Sequence, residues 1–142
     1  MGRGRIFCRL VAFFAMKIAE LNHVALRVRD VDASIRFYRD VIGLPLMPRP
    51  DFNFRGAWLR IGTYQELHLI EGGSARPDEE GARDNHFALR VTDFEASAAQ
   101  MQAAGVVFRG PVRRPDGARQ IFLKDPDGHV LEVCGELPPV AP

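Results

Sequence analysis

HVALRVRDVDAS, at residues 23–34, is repeated as HFALRVTDFEAS at residues 86–97, 63 positions further along the chain. Eight of the twelve positions are identical, and each copy begins with a histidine. A repeat of this quality means that one supersecondary unit is used twice. Because a duplicated unit places its equivalent atoms around a pseudo-twofold axis, the two histidines, His23 and His86, can converge on one point. A bound metal ion is therefore our first hypothesis.

The first copy opens a β-α-β-β-β pattern. Polar and apolar residues alternate over Asn22–Val28, which predicts a half-buried strand with His23 and Arg27 on one face. Asp30 is a suitable N-cap for an amphipathic helix over Val31–Ile42, which ends before a glycine. Three further strands are predicted, separated by prolines and by a Gly-Thr turn: Leu44–Met47, Ala57–Ile61 and Gln65–Glu71.

The second copy opens the same pattern. A strand over Asn85–Val91 places His86 and Arg90 on one face, and Asp93 is a suitable cap for a helix over Phe94–Ala104. Three strands again follow: Val106–Arg109, Arg119–Lys124 and Val130–Val133. The sequence therefore predicts an α+β fold made of two tandem βαβββ modules.

The chain of 142 residues has the length of one domain, which we expect over residues 16–136. Module one, the linker, module two and a tail are predicted at about 20–71, 72–84, 85–136 and 137–142. Residues 1–15 are basic and apolar, but Arg9 interrupts the apolar run, so they do not make a convincing signal peptide. Our hypothesis is that Met16 is the functional start and that residues 1–15 are an upstream extension.

Composition excludes several classes of function. The chain is 46% hydrophobic and 26% charged with a formal net charge of +1, so no basic excess indicates nucleic acid. No apolar run approaches the ~20 residues that a membrane span needs. Two cysteines are too few for a disulfide scaffold, and we therefore expect a cytoplasmic protein.

A second matched pair of residues extends the repeat. His68 and Glu132 each lie in the middle of an apolar strand segment, Leu67–Leu69 and Leu131–Val133, and they are 64 positions apart. An unpaired polar side chain in such a frame is costly. A lone histidine at a strand start is more often structural, but four matched placements favour a divalent metal site. Imidazole and carboxylate suit Zn, Ni, Fe, Mn or Co, and the predicted ligands are His23, His68, His86 and Glu132.

The motifs that surround these residues are HVALRVRDVDASIRFYRDVIGL, GAWLRIG with LHLIE, NHFALRV and IFLKDPDGHVLEVC, which cover almost all of residues 20–136. Through these motifs the chain resembles the vicinal oxygen chelate superfamily of glyoxalase, bleomycin-resistance and extradiol-dioxygenase proteins. The resemblance implies that the two modules form a mixed sheet curled around a divalent metal, held by the four predicted ligands. The second ligand is commonly Glu in glyoxalase I and Gln in methylmalonyl-CoA epimerase, so His68 departs from both patterns.

The resemblance settles the fold better than the reaction. Four protein ligands leave two open positions in an octahedral shell, which favours a lyase or isomerase over a dioxygenase that must also admit O₂. By analogy with glyoxalase I, the metal would polarise a carbonyl of a small substrate and stabilise an enediolate, with Glu132 as ligand and general base. An extradiol-type dioxygenase, a thiol transferase and a non-catalytic drug- or metabolite-binding protein are the alternatives.

Other residues are candidates for the substrate site or are set aside. Arg27 and Arg90 share the strand faces of the first and third ligands, and either line the site or form ion pairs at its rim. Trp58 and Phe122 are candidates for an apolar wall, although core packing is the more frequent role of such residues. His129 follows a turn and is expected to be solvated. We expect a homodimer, with the site built either within one chain or across two.

Overall fold

Residues 17–74 and 85–136, which a computed structural model describes, form two mixed four-stranded sheets, one in each module. In chain order module one consists of β1 (His23–Val28), a helix that is α-helical over Val31–Ile35 (α1) and π-helical over Arg36–Val41, and then β2 (Leu46–Met47), β3 (Gly56–Ile61) and β4 (Gln65–Glu71). Strand β1 pairs in parallel with β4, and the order across the sheet is β1-β4-β3-β2.

Module two repeats this arrangement with β5 (His86–Arg90), α2 (Phe94–Ala103), β6 (Phe108–Arg113), β7 (Arg119–Lys124) and β8 (Val130–Cys134). Strand β5 is parallel to β8, and the order across the sheet is β5-β8-β7-β6. The predicted succession of two βαβββ modules is confirmed. The prediction that the sixth strand ends at Arg109 is wrong, because a register shift between Arg109 and Val112 lets the strand continue past Pro111.

Both predicted helix N-caps are confirmed. The Oδ1 atoms of Asp30 and Asp93 accept hydrogen bonds from backbone N–H groups in the first turn of their helices, which otherwise lack partners. The π-helical bonding of Arg36–Val41, which ends with the Ile42 N–H donating to the Phe37 carbonyl, was not predicted. An apolar stripe indicates that a segment is helical but does not distinguish the two hydrogen-bond patterns.

Each sheet has one buried and one open face. On β1, Leu26 and Val28 are buried, whereas the alternating positions His23, Ala25 and Arg27 are exposed. Burying one leucine side chain contributes about 1.5–3 kcal/mol, so the core holds the strands in place while the open faces carry polar side chains. The largest fully buried side chains come from both modules: Tyr38, Leu59, Leu67, Leu69, Ile121 and Leu131.

A buried polar network joins the two modules. The Tyr38 hydroxyl, on the helix of module one, donates to Asp125 Oδ2 at 2.8 Å in the β7–β8 turn of module two. His129 Nδ1 lies 2.8 Å from the same oxygen. Arg29, just after β1, donates from Nε to Asp127 Oδ1 at 2.7 Å.

The expectation that His129 is solvated is wrong. The side chain is buried, and both its backbone N–H and its ring form hydrogen bonds with Asp125. Burial alone would raise the pKa of Asp125, but the hydrogen bonds from His129 and Tyr38 outweigh burial and hold this pKa below its ordinary value. Burial, together with the neighbouring Asp125 carboxylate, raises the pKa of the Tyr38 phenol well above its ordinary range.

Several sequence predictions concern residues outside the described part of the chain. The predicted extension at residues 1–15, the tail at 137–142 and residues 75–84 of the linker all lie there, so these predictions stay open. Within residues 17–74 and 85–136, no helix is both long and apolar enough to cross a membrane.

Candidate metal centre

The first pair of predicted ligands lies side by side on the open face of module one. Parallel pairing sets Ala25 of β1 opposite His68 of β4, which brings the ring of His23 onto that of His68. The two imidazoles stack with centroids 4.3 Å apart and planes 13° apart. His68 Nε2 hydrogen-bonds Glu66 Oε2 at 2.8 Å, and His23 Nδ1 hydrogen-bonds Asn22 Oδ1 at 2.7 Å. Among the described residues, the second nitrogen of each ring has no hydrogen-bond partner.

The second pair occupies the equivalent position in module two. Ala88 of β5 lies opposite Glu132 of β8, as Ala25 lies opposite the first module's ligand. His86 Nε2 is 3.1 Å from Glu132 Oε2, and Gln120 Nε2 donates to Glu132 Oε1 at 2.5 Å. Glu132 is only 5% exposed, so these contacts compensate for the burial of its carboxylate.

Trp58 and Phe122 flank the two pairs in the same way. Trp58 of β3 lies opposite His68, and the two rings stack with centroids 4.3 Å apart. Phe122 of β7 lies opposite Glu132 and meets the His86 ring edge-on at 5.8 Å. Neither aromatic side chain belongs to the buried core of the described residues. Both therefore have the position of an apolar wall beside the candidate ligands.

The two candidate arginines differ in the partners that their guanidinium groups already have. Arg90 forms an ion pair with Glu136 at 2.6 Å, which is the second of the two roles predicted for it, an ion pair at the rim of the site. Arg27 is exposed and, within the described part of the chain, donates only to the carbonyl of Gly72, at 3.4 Å. Of the two, Arg27 keeps more of its donor groups for another partner.

A cleft of about 800 Å³ opens between the modules, and both His23 and His86 border it. Its walls are largely apolar, with Val24, Leu89 and Met101 among them. The four predicted ligands nevertheless stay as two pairs. Within residues 17–74 and 85–136, no group of three or more His, Cys, Asp or Glu side chains lies close enough to hold one ion. Each module of one chain thus presents two candidate metal ligands on the open face of its sheet.

Sequence reasoning missed two polar residues that hold the candidate ligands. Glu66 bonds to His68, and Gln120 bonds to Glu132. Each could have been found from the strand alternation, because Glu66 lies two residues before His68 and Gln120 two residues before Phe122 on the same open faces. A carboxylate behind a histidine is a common support for a metal ligand, since it fixes the orientation of the ring.

The fold and the repeated pairs can be set beside known proteins. A profile of the Glyoxalase/Bleomycin resistance protein/Dioxygenase superfamily matches residues 20–133. Lactoylglutathione lyase from Haemophilus influenzae is 33% identical over 123 residues, covering 80% of this chain and 90% of that protein. Glutathione transferase FosA from Serratia marcescens is 34% identical over 119 residues, covering 82% and 80%.

Among solved structures, a glyoxalase/dioxygenase from Nostoc punctiforme superposes with a TM-score of 0.71 at 23% sequence identity, covering 82% of this chain and 90% of that one. This likeness concerns the fold. The profile match extends over most of the chain and spans both βαβββ modules. The chain therefore belongs to the Glyoxalase/Bleomycin resistance protein/Dioxygenase superfamily.

Proposed function

We propose that the chain is a metal-dependent glyoxalase-type enzyme, a lyase or isomerase that acts on a small substrate with adjacent oxygen atoms. The observation that carries this proposal is the placement of two donor pairs at equivalent positions of the two modules, His23 with His68 and His86 with Glu132. The similarity to lactoylglutathione lyase supports the same class of reaction.

The donor set suits a divalent ion of the borderline type, because three imidazoles and one carboxylate are ligands that Zn, Ni, Fe, Mn and Co share. In each pair the donors already lie on neighbouring strands of a sheet, which holds them rigidly. When bound, the metal supplies Lewis-acid polarisation of a substrate oxygen. Its proposed ligands are His23, His68, His86 and Glu132.

Glu132 is the proposed general base. Gln120 occupies its Oε1 atom, and Oε2 faces His86 on the open side of the sheet. Oε2 is therefore the atom proposed to accept the proton from the carbon next to a substrate carbonyl and to return it to the neighbouring carbon. The apolar wall formed by Trp58 and Phe122 limits access of water to this proton.

The Glu132→Gln variant tests this role, because it keeps the shape of the side chain but its amide cannot accept the proton. We expect the rate of lactoylglutathione formation to fall at least a hundredfold. Glu136→Gln is the matched control, since that carboxylate is exposed at the rim and paired only with Arg90 among the described residues. Full activity of Glu132→Gln would exclude Glu132 as the base.

We further propose that a second copy of the chain completes the site, with module one of one protomer facing module two of the other. Two features of the described residues support this assembly. The donors of one chain stay as two pairs. The strands β1 and β5 that carry His23 and His86 are sheet edges whose ligand-bearing faces are exposed. When module one of one chain faces module two of another, the edge strands β1 and β5 and the open faces of both sheets are covered.

Mixed dimers of His23→Ala and Glu132→Ala protomers, isolated through two different affinity tags, test this assembly. If each site is shared, one of the two sites in a mixed dimer contains both intact modules, and about half of the wild-type activity and metal content returns. The two variants alone are the inactive controls. Mixed dimers with no activity and no metal would show that each site is built within one chain.

Glutathione transfer is the second candidate, and the similarity to glutathione transferase FosA favours it. The products separate the two reactions. A lactoylglutathione product is a thioester, which hydroxylamine cleaves, whereas transfer of glutathione to a carbon electrophile makes a thioether that hydroxylamine leaves intact. A hydroxylamine-resistant glutathione product would replace the lyase proposal by the transferase.

A further inference from the structure

A row of aromatic rings leads from the first histidine pair to the loop between β2 and β3. Trp58, which stacks on His68, lies 6.0 Å from the ring of Phe52. The ring of Phe54 stacks on Phe52, with centroids 5.2 Å apart and planes 24° apart. The guanidinium carbon of Arg49 lies 4.6 Å and 4.8 Å from these two ring centres. Arg49, Phe52 and Phe54 are called the loop array below.

The loop array is not part of the core. Phe52 is 40% and Phe54 is 42% exposed, and neither belongs to the buried cluster. The two neighbouring rings form an exposed aromatic patch, the kind of surface that ligand-binding grooves carry. The array is nevertheless ordered by its own contacts, because Arg49 also donates from Nη2 to the Phe54 carbonyl at 3.0 Å.

The charge of Arg49 is left for a ligand. No carboxylate among the described residues forms an ion pair with it, whereas the nearby Arg55 is paired with both Asp32 and Glu71. Guanidinium groups that lie on aromatic faces keep their remaining N–H donors for planar anions such as carboxylates. The array thus offers aromatic surface and one positive charge next to the proposed metal ligands.

The repeat provides no structural reason for this array. The offset of 64 that relates Trp58 to Phe122 leads from Phe52 to Asp116 and from Phe54 to Ala118. Module two therefore folds without either ring, and its Asp116 pairs with a neighbouring arginine instead. Because the βαβββ unit does not need these aromatics, their presence in module one points to a role in binding.

We propose that the loop array is the specificity subsite of the enzyme and that it selects substrates in which an aromatic ring carries a carboxylate. The ring lies against Phe52 and Trp58, and Arg49 binds the carboxylate. This inference rests on the proposed function, since it assigns the substrate class of that same site.

Equilibrium binding tests the subsite without any turnover. Trp58 is the only tryptophan of the chain, so its fluorescence reports on this site directly. The probes are benzoate, benzamide, which has the ring but no charge, and cyclohexanecarboxylate, which has the charge but no aromatic ring. We expect benzoate to bind about tenfold more tightly than cyclohexanecarboxylate, as one aromatic contact contributes. We also expect benzoate to bind about tenfold more tightly than benzamide, as one charge-assisted hydrogen bond contributes.

Two variants separate the contributions. Phe52→Leu keeps an apolar side chain, and we expect it to remove most of the preference for benzoate over cyclohexanecarboxylate. Arg49→Gln removes the charge, and we expect it to bring benzoate to the affinity of benzamide. Tyr64→Leu is the control, because Tyr64 is 66% exposed and has no ring contact among the described residues. Equal binding of the three probes, or unchanged preferences in Phe52→Leu and Arg49→Gln, would overturn the subsite.

The subsite and the proposed reaction can fail separately. Selective benzoate binding with no turnover of any carbonyl substrate would sink the reaction and keep the subsite. Formation of lactoylglutathione that benzoate does not inhibit would sink the subsite and keep the reaction. If Phe52→Leu instead converts a dimer into monomers in sedimentation while probe binding is unchanged, the rings belong to a subunit contact and the subsite is wrong.

Discussion

Replacing Tyr38 by phenylalanine is the sharpest test of how the two modules are held together. The substitution removes one oxygen atom and keeps the ring in the core. The lost hydroxyl is the donor to Asp125 Oδ2, at 2.8 Å, and the carboxylate that receives it is buried. Asp125 keeps its contacts with His129, so the charge loses one of its hydrogen-bond donors rather than all of them.

The expected loss in the free energy of unfolding follows from that single hydrogen bond. A hydrogen bond to a charged group contributes about 1.5–3 kcal/mol, and burial places this one toward the middle of the range. We therefore expect Tyr38→Phe to lower the free energy of unfolding by about 2 kcal/mol. For a chain of this length, such a loss lowers Tm by roughly 6–8 °C.

The pH dependence gives an independent check. The pKa of Tyr38 is raised in the folded protein, first by burial and then by the Asp125 carboxylate. Its contribution to stability is therefore complete below the unfolded pKa of about 10 and is lost as the pH rises above that value, by up to about 1.4 kcal/mol per pH unit. Tyr38→Phe lacks this loss, so the difference from wild type should shrink between pH 10 and pH 11.

Urea unfolding followed by circular dichroism at pH 7 and in steps to pH 11 measures both effects. Tyr64→Phe is the matched control, because Tyr64 is the only other tyrosine and is 66% exposed. We expect the control to unfold like wild type at pH 7. A Tyr38→Phe protein within about 0.5 kcal/mol of wild type, with the same alkaline behaviour, would refute the claim that this bond joins the modules.

Three further predictions concern stability. The Ser34 hydroxyl is buried without a hydrogen-bond partner among the described residues, so Ser34→Ala should raise the free energy of unfolding by about 1 kcal/mol. Ser97→Ala is the matched control in the same urea titration, because the bond from its hydroxyl to the Asp93 carbonyl is exposed, and it should change the free energy of unfolding by less than about 0.5 kcal/mol. The pKa of Asp125 is lowered in the folded protein, so the stability that its carboxylate contributes is present above about pH 4 and is lost as the pH falls through the folded pKa. The free energy of unfolding of Asp125→Asn should therefore fall less between pH 5 and pH 3 than that of wild type. Gly56→Ala should cost about 2 kcal/mol in thermal unfolding, because its Cβ would overlap the Leu69 carbonyl oxygen.

Much of the fold could be predicted because one repeated segment specified it twice. Alternation in β1 and β5 identified the open faces, and Asp30 and Asp93 identified both helix starts. The π-helical turns of the first helix and the bulged sixth strand could not be predicted. Both are choices among hydrogen-bond patterns that the same side chains permit, and tertiary packing decides between them.

The sequence predicted all four candidate ligands as one site, and the structure shows them as two pairs. An offset of 63 or 64 residues relates His23 to His86 and His68 to Glu132, whereas strand pairing places His23 beside His68 and His86 beside Glu132 on adjacent strands. How the modules lie relative to one another depends on long-range contacts such as that of Tyr38 with Asp125, which are 87 residues apart and which no local pattern revealed. The loop array also escaped prediction, since its aromatics lie outside any periodic element.

Metal content tests the central claim most directly. The measurement is elemental analysis of wild type, His23→Ala and His86→Ala, each purified without chelator and compared by circular dichroism to confirm folding. The account predicts about one divalent ion per chain in wild type and loss of that ion from both variants, because each donor pair supplies part of one site. A metal-free wild type, or a variant of either pair that keeps its full metal content, would contradict it.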